Sequence, residues 1–138
     1  MQCRVERDDP RIGWSLEQNR RNVHTLRWSW DSIDNAEAWI LLSSDRHHDN
    51  THTDQALELA HLEQAQARGA AIIDVGDMHC AMQGRWDRRK DASQLRPEYQ
   101  CNEYLDALVE LAADFYSPYA QNFAVVGVGN HETGILRH

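Results

Sequence analysis

Three short apolar runs constrain this chain more than any other feature: WILLSSDRH at 39–47, AAIIDVGD at 70–77 and FAVVGVGNHE at 123–132. Each has the length of a β-strand and stops at side chains that bind metal ions or move protons. The apolar residues are continuous rather than alternating, the pattern expected of strands covered on both faces. The stretches between the runs carry helical signals. Because parallel neighbours need a crossover, strand, helix and strand read together as a mainly parallel βαβαβ sheet of an α/β protein.

The first helical stretch, 51–68, has Thr51 and Thr53 as candidate N-caps, Asp54 in its first turn and Gly69 as its stop. Ala56, Ala60 and Ala67 suggest a small-residue face for close packing on the sheet. In the second, Tyr104, Leu105, Leu108, Leu111, Ala112 and Phe115 recur at three- and four-residue spacing, with Asn102 as cap and Ser117-Pro118 as terminator. Upstream, VHTLRWSW at 23–30 alternates as a half-buried strand does, and the polar link after it can return the chain antiparallel into the first apolar run. That predicts an antiparallel N-terminal edge strand, preceded by an irregular arm over 1–21 that Pro10 and Gly13 interrupt. The domain proper is then 22–138. The connection 78–98, charged around RWDRRK, has a length typical of functional or mobile loops.

Composition narrows the classes. A chain of 138 residues fits one domain with a sizeable core. With 41% hydrophobic residues, 26% charged residues and a mean hydropathy of −0.72, it matches neither a disordered nor a membrane protein. No apolar run approaches the roughly 20 residues of a membrane span. The charged N-terminus lacks the apolar segment of a secretion signal, so a cytoplasmic location is expected. A net charge of −8 argues against broad electrostatic binding of nucleic acid, though not against nucleic acid as a substrate, since bound cations would reverse the local field. Cys3, Cys80 and Cys101 are odd in number and unpaired in spacing, so they are expected to be free and inert thiols.

In open α/β sheets ligands sit beyond the carboxyl ends of the strands, where Asp45, His47, Asp77, Asn130 and His131 all fall. Oxygen donors mixed with imidazole suit manganese, iron, zinc or magnesium rather than a thiolate site. A carboxylate such as Asp77, on the middle motif, is placed to bridge two ions. Two ions about 3.5 to 4 Å apart clamp both oxygens of an in-line displacement at phosphorus. An imidazole such as His131 titrates near neutrality and suits protonation of the leaving oxygen, with Glu132 to orient it.

Asp45-x-His47, Gly76-Asp77 and Gly129-Asn130-His131-Glu132, each after a strand and in this order, resemble the first three ligand blocks of the calcineurin-like metallophosphoesterase family. SDRHHDN and GDMHCAMQGRWDRRK are most similar to phage and bacterial phosphoesterases. The resemblance runs from about residue 39 to the end, and its specificity lies in the ordered set rather than in any one block. It implies the N-terminal half of an αββα sandwich and hydrolysis of a phosphate mono- or diester by a hydroxide bound to two divalent metal ions. Asp45 and His47 would hold the first ion, Asp77 would bridge, Asn130 would hold the second and His131 would assist the leaving group.

The sequence departs from the family pattern where Cys80 stands in place of a second aspartate, and it lacks the later histidine blocks. The resemblance therefore implies an incomplete domain with little turnover alone. A non-enzymatic scaffold or interaction remnant of the same fold is the competing reading, and a DNA nuclease the competing enzyme. Arg85, Arg88 and Arg89 are candidates for a substrate-phosphate clamp, weighed against a solvated loop. His48, Asp49 and His79 read as loop residues near the site, and Trp28, Trp30 and Trp39 as packing residues. Oligomeric state is not legible.

Overall fold

A computed structural model describes residues 13–34, 36–83 and 88–135. The chain is a mixed α/β structure with two separate sheets. Strands β1 (Trp14–Arg20) and β2 (Val23–Trp28) form an antiparallel hairpin. Strands β3 (Ile40–Ser43), β4 (Ala71–Asp74) and β5 (Phe123–Val126) form a parallel sheet in the order β3-β4-β5. Helix α1 (Gln55–Ala67) connects β3 to β4, and α2 (Tyr104–Tyr116) precedes β5. A final turn of helix, α3 (Glu132–Ile135), follows the third run.

The three apolar runs thus become three adjacent parallel strands, as their pattern predicts. The N-terminal expectation needs correction. Residues 14–20 are a strand rather than part of an irregular arm, and residues 1–12 lie outside the described residues. Strand β2 finds its partner in β1, with Trp14 opposite Trp28 and Leu16 opposite Leu26, so it does not form an edge of the parallel sheet. A two-residue turn favours this local pairing, since closing it costs about 1 to 2 kcal/mol less in chain entropy than closing the longer link to β3. Trp14 ties the hairpin to the body: it is buried, and its Nε1 donates to the carbonyl of Gly69 at 3.0 Å.

One face of the parallel sheet carries the core. Leu62 and Ala65 of α1 pack with Ala70, Ile72 and Tyr119, joined by Leu41, Phe115, Tyr116 and Phe123. The expected alanine face of α1 is not the one used, since Ala56, Ala60 and Ala67 are exposed and Glu58, Leu62 and Ala65 turn inward. Glu58 faces in because a cation and two further donors wait for it there. The N-cap of α1 is Asp54, whose side chain accepts from the amide of Leu57. In α2, Tyr104, Leu108, Leu111, Ala112 and Phe115 lie inward while Leu105 is exposed, and Ser117 ends the helix. Its N-cap is Glu103 rather than Asn102, without a side-chain bond.

The opposite sheet face is open. Ile40, Leu42, Val75, Val126 and Val128 are all exposed, Leu42 to 72%. Cover on both faces was the expectation from their continuity; among the described residues, the helices pack on one side alone. The tryptophans expected to pack do not all do so: Trp30 and Trp39 are exposed, and the Trp39 ring instead lies 3.7 Å from the Arg68 guanidinium. The long connection after β4 is partly ordered by short 3₁₀ turns at Ala92–Gln94 and Pro97–Tyr99, and Leu95, Tyr99 and Tyr104 form a second small core.

Candidate metal centre

The loops after β3 and β4 leave the sheet side by side. Strand-like pairing continues past the strands, with the amides of Asp45, His47 and His48 donating to the carbonyls of Gly76, Asp77 and Met78 at 2.9 to 3.1 Å. The loops are then forced into uncommon backbone. Among the described residues four non-glycine residues have positive φ, and all belong to these two loops: Asp45 (53°), His47 (46°), Asp77 (57°) and Ala81 (50°). Gly76 and Gly129 allow the loops after β4 and β5 to touch, since a Cβ on Gly76 would strike the Gly129 backbone and one on Gly129 would strike the Asp77 carboxylate.

Carboxylates hold these loops by their backbone amides. Both oxygens of Glu132 are used: Oε2 accepts from Asp77 and Gly129 at 3.0 and 2.9 Å, and Oε1 from Met78 at 2.8 Å. Glu132 therefore ties the second motif to the third. The role expected for it, orienting the His131 ring, falls instead to the Cys80 carbonyl, which lies 2.9 Å from His131 Nδ1. Asp77 Oδ1 accepts from the His131 amide at 2.8 Å. Asp49, fully buried, accepts from the amides of Cys80 (2.6 Å) and Ala81 (3.3 Å) and from the Tyr104 hydroxyl (2.5 Å).

Beneath the site lies a buried ionic network. The Arg46 guanidinium meets Asp74 Oδ2 at 2.8 Å, Glu58 Oε1 at 3.2 Å and the Ser43 hydroxyl at 2.8 Å. Glu58 also takes His48 Nδ1 at 2.7 Å and the Tyr116 hydroxyl at 2.5 Å. Burial raises the Glu58 carboxyl, but the bonds from His48 and Tyr116 and the positive charges beside it outweigh that and hold it below its ordinary value. His48, Asp49 and His79 do lie in the loops near the site, and all three are buried. Burial lowers the pKa of His79, and its Nε2 has no hydrogen-bond partner.

An open cleft of about 760 Å³ lies at this end of the sheet, and Asp45, His47, Cys80, Met82 and His131 help to line it. Asp77, Asn130 and Glu132 do not line it, and neither do Arg88 and Arg89, which sit exposed beyond it. Arg85 lies outside the described residues. Asp45 is largely exposed, with Oδ1 3.9 Å from His47 Nε2. Asn130 is exposed, and its carbonyl accepts from the Thr133 hydroxyl.

Among the described residues, the one set of three His, Cys, Asp or Glu donors that closes within 4.8 Å is His47, Cys80 and His131. Asp45 and Asp77 stand outside it, so Asp45, His47 and Asp77, three of the residues that the resemblance assigns to two ions, do not close to a similar degree. Cys80 is the residue that sequence reasoning undervalued. It is buried, its Sγ lies 3.5 Å from His47 Nδ1, and burial pushes its thiol up to about 11. The available signal was its position three residues after Asp77, where many members of the family that the motifs resemble carry a second aspartate, though not as a core ligand. Comparison with known proteins found no matching family model, curated protein or solved structure.

Proposed function

We propose that this chain carries the site of a metal-dependent phosphoester hydrolase, located in the cleft at the carboxyl ends of β3, β4 and β5. The supporting observation is the backbone of Asp45, His47 and Asp77. All three belong to the ordered motif set, and all three are held in left-handed conformation at strand ends. Such conformations cost on the order of 1 kcal/mol each for non-glycine residues and concentrate where the surrounding structure sacrifices stability for function. Scaffold duty explains the Asp77 side chain, which accepts from the His131 amide, but gives no reason for aspartate at exposed position 45 or histidine at position 47 rather than glycine.

The residues divide by what they touch. Asp45, His47 and His131 face the cleft, whereas Asp77 and Glu132 hold the motif loops together through backbone amides. The Cys80 carbonyl can only accept, so the His131 proton sits on Nδ1 and Nε2 is left to carry a proton or bind a cation. A divalent cation supplies Lewis acidity toward a phosphoryl oxygen and toward water.

The test is release of nitrophenolate from aryl phosphate monoesters and diesters, beside cleavage of a DNA oligonucleotide, with zinc or manganese. Slow turnover above the metal-only rate is expected, abolished by chelation and reduced about 100-fold or more in His47→Asn. No metal-dependent turnover on any of the three substrates would leave the scaffold reading in place. Cleavage of DNA alone would select the nuclease.

A further inference from the structure

We infer that His47, Cys80 and His131 form a site for a single zinc ion, built on a thiolate and two imidazoles. A pair of hard-ligand ion sites built on oxygen donors is the arrangement this replaces. The inference stands apart from the hydrolase reading, since an ion on these donors need not turn over a phosphoester.

The geometry suits zinc. Zinc holds sulfur at about 2.3 Å and imidazole nitrogen at about 2.0 Å in tetrahedral array, which separates the two donors by about 3.5 Å. Cys80 Sγ and His47 Nδ1 are 3.5 Å apart. With Nδ1 turned to the ion, His47 Nε2 faces the Asp45 carboxylate at 3.9 Å, outside direct hydrogen-bond reach but on the side where a carboxylate commonly backs a metal-binding histidine. Asp45 then stands behind a ligand instead of being one.

His131 is prepared in the same sense. Its Nδ1–H is committed to the Cys80 carbonyl, which leaves the Nε2 lone pair for a cation. The His47 and His131 rings meet edge to face with centroids 4.6 Å apart. The loop carrying Cys80 is held at both ends, by Glu132 at Asp77 and Met78 and by Asp49 at Cys80 and Ala81. Ligand positions fixed before binding cost less to organise when the ion arrives.

Donor type selects the ion. A thiolate among imidazoles favours zinc over magnesium and manganese, which prefer oxygen. The three donors all border the cleft, so a fourth position faces solvent, as in zinc sites that exchange water. In this arrangement His131 is a ligand and is withdrawn from the role of proton donor.

Cobalt(II) provides the probe. Titration of the metal-free protein is expected to show one equivalent bound, with a thiolate-to-cobalt charge-transfer band that one equivalent of zinc removes. The band should vanish in Cys80→Ser and persist in Cys3→Ser and Cys101→Ser, and cobalt affinity should fall at least about 10-fold in His131→Asn. A band unchanged in Cys80→Ser overturns the assignment, as does binding of two manganese ions without any thiolate band. Zinc-edge X-ray absorption on the unmutated protein decides the case if Cys80→Ser fails to fold. One sulfur at about 2.3 Å is expected, and a shell of oxygen and nitrogen alone overturns the site. A thiolate signature without phosphoester turnover keeps this site and rejects the hydrolase, while turnover without the signature does the reverse.

Discussion

Glu132 and Asp45 show how a residue's chemistry can be right and its task different. Glu132 sits in a motif where a carboxylate beside a histidine suggests that it orients the imidazole, yet its two oxygens are taken by three backbone amides. Glu132→Gln converts one acceptor into a donor facing an N–H. We expect a loss of about 1 to 3 kcal/mol in urea denaturation, with the pH profile of any turnover unmoved. A shifted profile with unchanged stability would restore a catalytic role. Asp45 is exposed at φ 53°, where glycine is at ease. Asp45→Gly should leave stability unchanged or raise it by up to about 1 kcal/mol, while cutting turnover or zinc affinity about 10- to 100-fold. A large fall in melting temperature would show that Asp45 serves the fold instead.

At the scale of elements, the parallel sheet is asymmetric. Central β4 packs against α1 through Ile72, which is fully buried, whereas Leu42 on neighbouring β3 points to the open face. Ile72→Ala should cost about 2 to 5 kcal/mol by leaving a cavity in the core. Leu42→Ala, an equal loss of side-chain bulk two residues from the β3 start, should change stability by only about 0.5 kcal/mol. Denaturant midpoints for the pair check this, and similar losses at both positions would mean the open face is covered in solution. The helical repeat of α2 was legible because its apolar positions are unambiguous. In α1 the inward face includes Glu58, and no periodicity argument points a glutamate at the core.

Across the whole molecule, the Arg46, Asp74, Glu58 and His48 network joins the loop after β3 to α1, β4 and, through Tyr116, α2. Because folding holds the Glu58 carboxyl below its ordinary value of about 4.5, it contributes stability that is fully present above that pH. The contribution is lost as pH falls through the lower folded value. Glu58→Gln should therefore be clearly less stable than the unmodified chain at pH 7, with the gap narrowing below about pH 4.5. Urea midpoints across that range decide it; a gap independent of pH would mean the carboxylate's charge is not what stabilises. Among the described residues no helix is long and apolar enough to cross a membrane.

By itself the sequence determined the parallel three-strand sheet and the end of it where polar chemistry gathers, because strand length, apolar continuity and strand-end side chains are local properties. The hairpin, the open sheet face and the inward turn of Glu58 were decided only in three dimensions, where each depended on which partner lay within reach. The same holds for the cleft: Asp45, His47 and His131 could be named from their motifs, but Cys80 joins them because two carboxylates distant in sequence fix the loop that carries it. A ligand set depends on distances between loops, and residue spacing along one strand does not encode them.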